Sequence, residues 1–341
     1  MQEHLPGVGQ RHAAAVAFQQ DGAEPPLQLG DGPGQRRLRH PEPASGPSEV
    51  QLLGDGHEIA QFPGLHPPQP TVIPLRYRRP PDRSWPPPGA RPDDGGMNEN
   101  TNGRTVALVT GANKGIGYEI AAGLGALGWL VGVGARDERR RTDAVAALRA
   151  RGADAFGVPL DVTDDASAAA AAKLLDERFG RLDVLVNNAA VTGGIPQEPT
   201  VVDLAEVRAV LETNVLGVIR VTNAVLPLLR RSAAPRVVNM SSAVGSLAMQ
   251  SEPDAFTGPI SAAYAPSKTL LNAVTVQYAK ELRDTGILFN LACPGYCDTD
   301  LNGHSGPRTP VQGAAIAVEL ATLPDDGPSG RFFNEDGPLP W

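Results

Sequence analysis

The sequence predicts an α/β chain: a single doubly wound parallel sheet with helices on both faces, preceded by a disordered Pro-rich N-terminal arm. Three observations carry that expectation. Residues 1–96 hold 18 of the 33 prolines and five of the six histidines but no lysine. From Met97 onward, strand-length apolar runs alternate with longer helical stretches. A glycine-rich turn joins the first of these runs to the first helical stretch.

The arm comes first in the chain. Short apolar pairs such as Val72 and Ile73 settle into no period of 2 or 3.6. Prolines at 25–26, 67–68, 80–81 and 86–88 keep interrupting the backbone hydrogen-bond pattern. Such a segment buries too little apolar surface to offset its ordering entropy, so residues 1–96 are expected to be disordered. A proline-rich ligand for a partner domain is the functional alternative. Composition changes abruptly at Met97, where a polar leader, Met97-Asn98-Glu99-Asn100, runs straight into a strand. Met97 is therefore the expected true start, with residues 1–96 an upstream extension.

Residues 97–341 are expected to form one domain. Its strand-like runs are 105–109, 130–133, 155–158, 182–186, 236–240 and 287–292, with 331–333 as a short last one. Between them lie alanine-rich or 3.6-periodic segments, such as Ile116, Ile120, Leu124, Leu127 and Leu270, Leu271, Val274, Tyr278, Leu282. Regular alternation of strand and helix implies a parallel sheet with covered faces, and glycines and prolines mark the junctions.

Composition narrows the function classes. A formal net charge of -8 speaks against a nucleic-acid partner, which a basic stripe would announce. No run of about 20 apolar residues is present, so no membrane span is expected. Arg36, Arg37 and Arg39 lack the hydrophobic stretch that a secretion signal needs after them. The expected location is the cytoplasm. Cys293 and Cys297 are the chain's two cysteines, and two thiols by themselves do not make a structural zinc site, so we expect reduced thiols and no metal.

The glycine turn reads Thr110-Gly111-Ala112-Asn113-Lys114-Gly115-Ile116-Gly117. Strand, glycine turn and helix start, in that order, suit a dinucleotide pyrophosphate, which meets close backbone and free helix N–H groups there. The spacing is G-x3-G-x-G, and a plain structural turn is the competing reading. The second strand runs into Gly134-Ala135-Arg136-Asp137, where an adenosine ribose is read. A guanidinium there pairs with the 2'-phosphate of NADP, whereas a carboxylate binds the 2'-hydroxyl of NAD. Arg136 and Lys114 favour NADP(H); Asp137, one residue later, is the counter-evidence.

Hydride transfer to a carbonyl asks for cofactor placement, an acid for the developing alkoxide and a group to hold the oxygen. Tyr264-Ala265-Pro266-Ser267-Lys268 puts Lys268 four residues after Tyr264, on one helical face. An ammonium beside a phenol favours the phenolate, which tunes an acid/base. Ser241-Ser242 stands at the carboxyl end of the 236–240 run, where open parallel sheets bind ligands. Asn187-Asn188-Ala189-Ala190 follows the 182–186 run; its asparagines either bond a cofactor or brace neighbouring strands. Asn214 falls in a helical segment among apolar neighbours, and Pro294-Gly295-Tyr296-Cys297-Asp298-Thr299 follows the sixth run.

In the joint order and spacing of these motifs, from about Thr105 to the C-terminus, the chain resembles the short-chain dehydrogenase/reductase family and its carbonyl-reductase-like members. The resemblance implies a Rossmann-type fold and a tetrad of Asn214, Ser242, Tyr264 and Lys268. Tyr264 would exchange the proton, Lys268 would lower its pKa and bond the nicotinamide ribose, and Ser242 would orient the carbonyl. Asn214 would hold a water in a proton relay reaching Lys268. The same resemblance implies that Gly111, Lys114, Gly115, Ile116 and Gly117 hold the phosphates and Arg136 the 2'-phosphate. Asp161 and Val162 would border the adenine, Asn188 the adenosine-side ribose, and Pro294, Cys297 and Thr299 the nicotinamide. Three departures stand out: Ala190 where glycine is usual, Cys297 where a branched aliphatic is usual, and a long interval between Ser242 and Tyr264. Residues around 249–260 are expected to form a substrate-side flap that obstructs tetramer packing, which makes a monomer plausible without excluding a homo-oligomer. The short segment 301–310 implies an open pocket for small-molecule carbonyl substrates.

Three rival readings remain. One is an NAD-dependent alcohol dehydrogenase working oxidatively with the same residues. Another is a non-catalytic dinucleotide-sensing regulator, which should have lost Tyr264 or Lys268. The third is an interaction protein that uses its proline-rich arm.

Overall fold

A computed structural model describes residues 103–194, 196–252 and 258–341. The arm expected over 1–96, the start at Met97 and part of the flap expected over 249–260 lie outside the described residues. The strands are β1 (Val106–Thr110), β2 (Leu130–Ala135), β3 (Asp154–Pro159), β4 (Val184–Asn187), β5 (Arg236–Met240), β6 (Leu288–Ala292), β7 (Arg331–Asn334) and β8 (Gly337–Pro338). Their order in the sheet is β3-β2-β1-β4-β5-β6-β7-β8. Every neighbouring pair is parallel except β7 with β8, a terminal hairpin that the sequence did not announce. The chain reverses direction of travel across the sheet between β1 and β4, and the crevice there is where such sheets hold ligands.

The helices are α1 (Gly115–Ala126), α2 (Glu138–Ala150), α3 (Asp165–Phe179), α4 (Leu204–Leu211), α5 (Gly217–Leu229), α6 (Leu247–Ser251), α7 (Tyr264–Glu281) and α8 (Pro310–Ala321). Strand alternation sorts the core into two layers, because successive side chains leave opposite faces of a sheet. Ala107 and Val109 of β1, with Val184 and Val186 of β4, meet Ile120, Leu124, Leu148 and Leu320 of α1, α2 and α8. Val106, Leu108, Leu185 and Val237 face the other way, onto Leu175, Val221, Val225 and Leu228 of α3 and α5. Residue types fit these places: β-branched and leucine side chains fill a sheet buried on both faces. In α7 the buried line runs through Leu271 and Thr275, while Leu270, expected on the same face, is 44% exposed.

Local chemistry starts and stops these helices. Asp137, Asp164 and Asp203 each accept a backbone N–H in the first turn of α2, α3 and α4. Thr309 and Gln312 form a reciprocal capping box on α8, with Pro310 at its first position. By contrast, no side chain caps α1, the helix that follows the glycine turn. α4 and α5 are joined by a single π turn, Glu212–Leu216, into one continuous helical run. That run, Leu204–Leu229, is long and apolar enough by length and composition to cross a bilayer, although it is not an unbroken run of about 20 apolar residues. Its few charges, among them Arg208, Glu212 and Arg220, break up the apolar letters without making the helix polar. Val218, Val221, Val225, Leu228 and Leu229 are buried within the fold.

Candidate active site

Gly111 and Gly115 adopt φ of +64° and +57°, the left-handed region where glycine is at ease. Gly117 meets Asn188 and the Gly111 carbonyl so closely that a Cβ would collide with both. Asn188 Nδ2 donates to the carbonyls of Thr110 (3.0 Å) and Gly111 (3.3 Å), and its backbone N–H donates to Thr110 Oγ1 (2.9 Å). The side chain expected to border a ribose therefore braces the glycine turn with its amide donors. Asn187 is a brace as well: its amide donates to Thr222 (3.1 Å) and to Asn239 (2.8 Å), tying β4 to β5 and α5.

The turn opens onto a cleft of about 710 Å³ at the carboxyl ends of β1–β4. Its walls include Gly111, Lys114, Gly115, Ile116 and Gly117 on one side and Arg136, Asp161, Val162 and Asn188 along the other. Thr299 also lines it, opposite Gly115, whereas Pro294 and Cys297 do not. Cys297 turns inward, its thiol donating to the Pro294 carbonyl at 3.3 Å and packing against Gly313 of α8. Only its backbone is left to serve a ligand.

A dinucleotide fits these residues on three counts. The first turn of α1 has no side-chain cap, leaving its N–H groups to an anion. The glycines leave room for backbone to approach. At the end of β2, Arg136 stands beside Arg140, a second cation on the cleft that the sequence reading missed. The i, i+4 spacing of Arg136 and Arg140 was the available signal. Asp137, the counter-evidence for NADP, uses its carboxylate as the α2 cap, accepting the Arg140 N–H at 2.8 Å. Asp161 also binds its own turn, accepting from the Thr163 N–H (3.0 Å) and hydroxyl (2.7 Å). These bonds, opposed by burial and aided by Arg136 and Arg220, hold its carboxyl below the ordinary range.

Lys114 is less free than its motif suggested. Its ammonium pairs with Asp300 at 2.5 Å across the cleft mouth. His304 in turn lies between Asp298 (2.6 Å) and Asp300 (2.8 Å), and those two hydrogen bonds raise its pKa. The segment 296–308 is thus cross-tied rather than simply short. The contacts are too distant in sequence, 186 residues from Lys114 to Asp300, for local spacing to reveal.

Beyond Val191 and Thr213 on the cleft wall stand the four expected catalytic side chains. Tyr264 opens α7, its N–H donating to Ser261 Oγ at 2.9 Å. Ser242, just past the carboxyl end of β5, lies close enough to its phenol to pull the phenol's pKa down. Ser241 points the other way and donates to Asn272 Oδ1 at 2.6 Å, so Ser242 is the hydroxyl of the pair on the Tyr264 side. Lys268, one turn on, sits with Nζ 5.5 Å from the Tyr264 ring centre and donates to the Met240 carbonyl at 2.8 Å.

Electrostatics here differ from the simplest expectation. Desolvation pushes the Tyr264 phenol well above its ordinary range, Cys293 adds to the rise, and the Ser242 hydroxyl opposes it. Burial also pushes the Lys268 ammonium down to about 8. Desolvation outweighs the stabilisation of a phenolate by the lysine, because the same apolar surroundings penalise both charges. Tyr264 is held as an acid at neutral pH.

Asn214 lies in the π turn, the kind of helix irregularity that recurs at functional sites. Its amide donates to the Val191 carbonyl (2.9 Å) and Ser267 Oγ (3.0 Å) while Oδ1 accepts the Val191 N–H (2.9 Å). Ser267 then donates to the Tyr264 carbonyl at 2.6 Å. Asn214 therefore fixes the loop after β4 to the first turn of α7. A relay water has the second Oδ1 lone pair and the backbone left to bond.

The short chain dehydrogenase family model matches residues 105–309. The chain is 34% identical over 306 residues to (-)-isopiperitenone reductase of Mentha piperita, covering 68% of this chain and 97% of that protein. It is similar to the structure of salutaridine reductase from Papaver somniferum, with TM-score 0.59 and 32% identity, covering 68% of this chain and 100% of that one. A Pseudomonas aeruginosa RhlG/NADP active-site complex matches with TM-score 0.60 and 34% identity over 69% of this chain and 95% of that one.

Proposed function

The chain belongs to the short-chain dehydrogenase family, and on that premise we propose that it reduces a ketone or aldehyde with NADPH, Tyr264 giving the proton. It is an oxidoreductase of alcohol/ketone groups; the cofactor and the direction are our reading. One observation carries it: the half-buried Tyr264 phenol, with Ser242 beside it and Lys268 one turn on, stands next to a cleft built for a dinucleotide.

Bound in that cleft, NADPH would supply the hydride. Ser242 holds the substrate oxygen against Tyr264, so the phenol's proton lies on the path to the nascent alkoxide. Burial keeps that proton on Tyr264 at neutral pH, which favours reduction; oxidation asks for the phenolate that burial disfavours. Lys268, charged below about 8, offers its ammonium to the ribose hydroxyls and to the developing charge. Asn214 keeps Val191 and α7 in register, so that the cleft wall and Tyr264 keep their spacing.

Support for NADP comes from Arg136 and Arg140 lining the cleft while Asp137 is engaged as a helix cap. The Pseudomonas aeruginosa relative, described as an NADP complex, points the same way. The test is oxidation of NADPH and NADH by the purified protein against ketones, aldehydes and quinones. NADPH-dependent turnover is expected; turnover with NADH alone, or none with any carbonyl, would overturn the reading. A cytoplasmic location and a monomeric state remain part of the proposal, checked by fractionation and by light scattering.

A further inference from the structure

Arg220 lies in the first turns of α5, directly after the π turn, and its side chain is 18% exposed. Its guanidinium makes three connections. Nη1 donates to the Val162 carbonyl at 2.7 Å, Nη2 donates to Glu212 Oε1 at 2.7 Å, and Nε pairs with Asp165. Val162 is the cleft residue expected at the adenine. Glu212 opens the π turn that carries Asn214 two residues later.

A second contact joins the same two segments. Gly217, at the junction of the π turn and α5, has Val162 against its Cα. A Cβ there would stand 3.0 Å from both the Val162 carbonyl oxygen and its Cγ2. The segment after β3 is therefore seated on the helix just below Asn214, and Arg220 locks it there.

We propose that Arg220 is a positioning residue that couples the adenosine side of the cleft to the turn holding Asn214. The planar fork of an arginine suits the task, since it bonds two directions at a fixed angle, which a lysine cannot. The pair with Asp165, whose side chain is 90% exposed, contributes little by itself. The bonds to Val162 and Glu212 carry the coupling. An adenine pressed on Val162 would thus bear, through Arg220, on Glu212 and so on Asn214, Val191 and the start of α7. Remote binding energy would steady the catalytic geometry. The proposal rests on the hydride-transfer reading of the cleft.

Amide hydrogen exchange tests it without turnover. ADP and 2',5'-ADP, which fill only the adenosine half, are added to the wild type and to Arg220→Met. In the wild type, exchange should slow at residues 161–163 and also at 212–217. In the variant, protection at 161–163 should persist and that at 212–217 should be lost. Protection at 212–217 that survives in Arg220→Met, or is missing in the wild type, would overturn the coupling, as would failure of either nucleotide to bind. Glu212→Gln, which weakens only one arm, serves if Arg220→Met does not fold, and should reduce the 212–217 protection. On kinetics, Arg220→Met should lower kcat about tenfold at saturating cofactor, with Arg220→Lys recovering only part. The double variant with Asn214→Ala should be no slower than Asn214→Ala alone; additive losses would count against the route through Asn214. If no carbonyl is turned over by the wild type, the proposed function fails while the exchange data still judge Arg220.

Discussion

Replacing Lys268 by methionine should abolish turnover yet leave the fold at least as stable as before at neutral pH. The ammonium is 3% exposed and has been pushed from the ordinary 10.5 down to about 8, chiefly by burial. At about 1.4 kcal/mol per pH unit, holding the charge at pH 7 costs the folded state about 3 kcal/mol. Between pH 10.5 and about 8 the unfolded chain binds this proton and the native one does not. Wild-type stability is therefore fullest above 10.5, falls as pH drops through that window, and carries the whole cost below about 8. Methionine has no such cost. It does leave the Met240 carbonyl without its donor, a loss of about 1–3 kcal/mol that does not vary with pH. Net, the variant should lie between equal and about 2 kcal/mol more stable at pH 7. Urea unfolding of both proteins, stepped from about pH 7 to about pH 10, reads the difference. The variant's relative advantage should shrink by about 2–3 kcal/mol across that range. A difference that stays flat with pH, or a variant more than about 1 kcal/mol less stable at pH 7, would refute the reasoning.

Further outcomes are expected at the serine pair, at the charged groups after β2 and at His304. Ser242→Ala should lower kcat about tenfold to a hundredfold. Ser241→Ala, which loses only its bond to Asn272, should show near-normal kcat and a melting point lower by a few degrees. Arg136→Ala and Arg140→Ala should each move the kcat/KM ratio of NADPH to NADH toward NADH by about tenfold or more, while Asp137→Ala should cost about 1 kcal/mol in unfolding and leave that ratio nearly unchanged. The KM for NADPH should rise with pH as His304 loses the proton that balances Asp298 and Asp300, and His304→Gln should flatten that profile; identical pH profiles for the two proteins would remove His304 from cofactor binding.

The sheet was legible because its central strands are buried on both faces and so appear as mostly apolar runs. Strands expected at 236–240 and 287–292 are found as Arg236–Met240 and Leu288–Ala292. Gly337–Pro338 could not announce itself, since two residues carry no period. The π turn at Asn214 was equally silent, for a one-residue widening of a helix leaves the apolar pattern intact. Tyr264, Lys268 and the serine pair were readable from spacing and from their place at strand ends. The family resemblance pointed to Ser242 over Ser241, and the structure adds a physical reason: neighbouring residues at a strand end leave in opposite directions, and Ser241 is spent on Asn272. Asp137 shows why charge alone misleads: one carboxylate suits a ribose or a helix cap, and only its acceptance of the Arg140 N–H tells them apart. The direction of the Tyr264 shift was hidden for the same kind of reason. The neighbouring lysine is visible in sequence, but the burial that outweighs it comes from residues far along the chain.

The most direct test of the account is Tyr264→Phe, a change that removes one hydroxyl and keeps the ring. NADPH binding, followed by its fluorescence, should match the wild type within about twofold, while kcat for the best carbonyl substrate should fall by about 10²–10⁴. Turnover within about threefold of the wild type, with cofactor still bound, would contradict the assignment of Tyr264 as the proton donor.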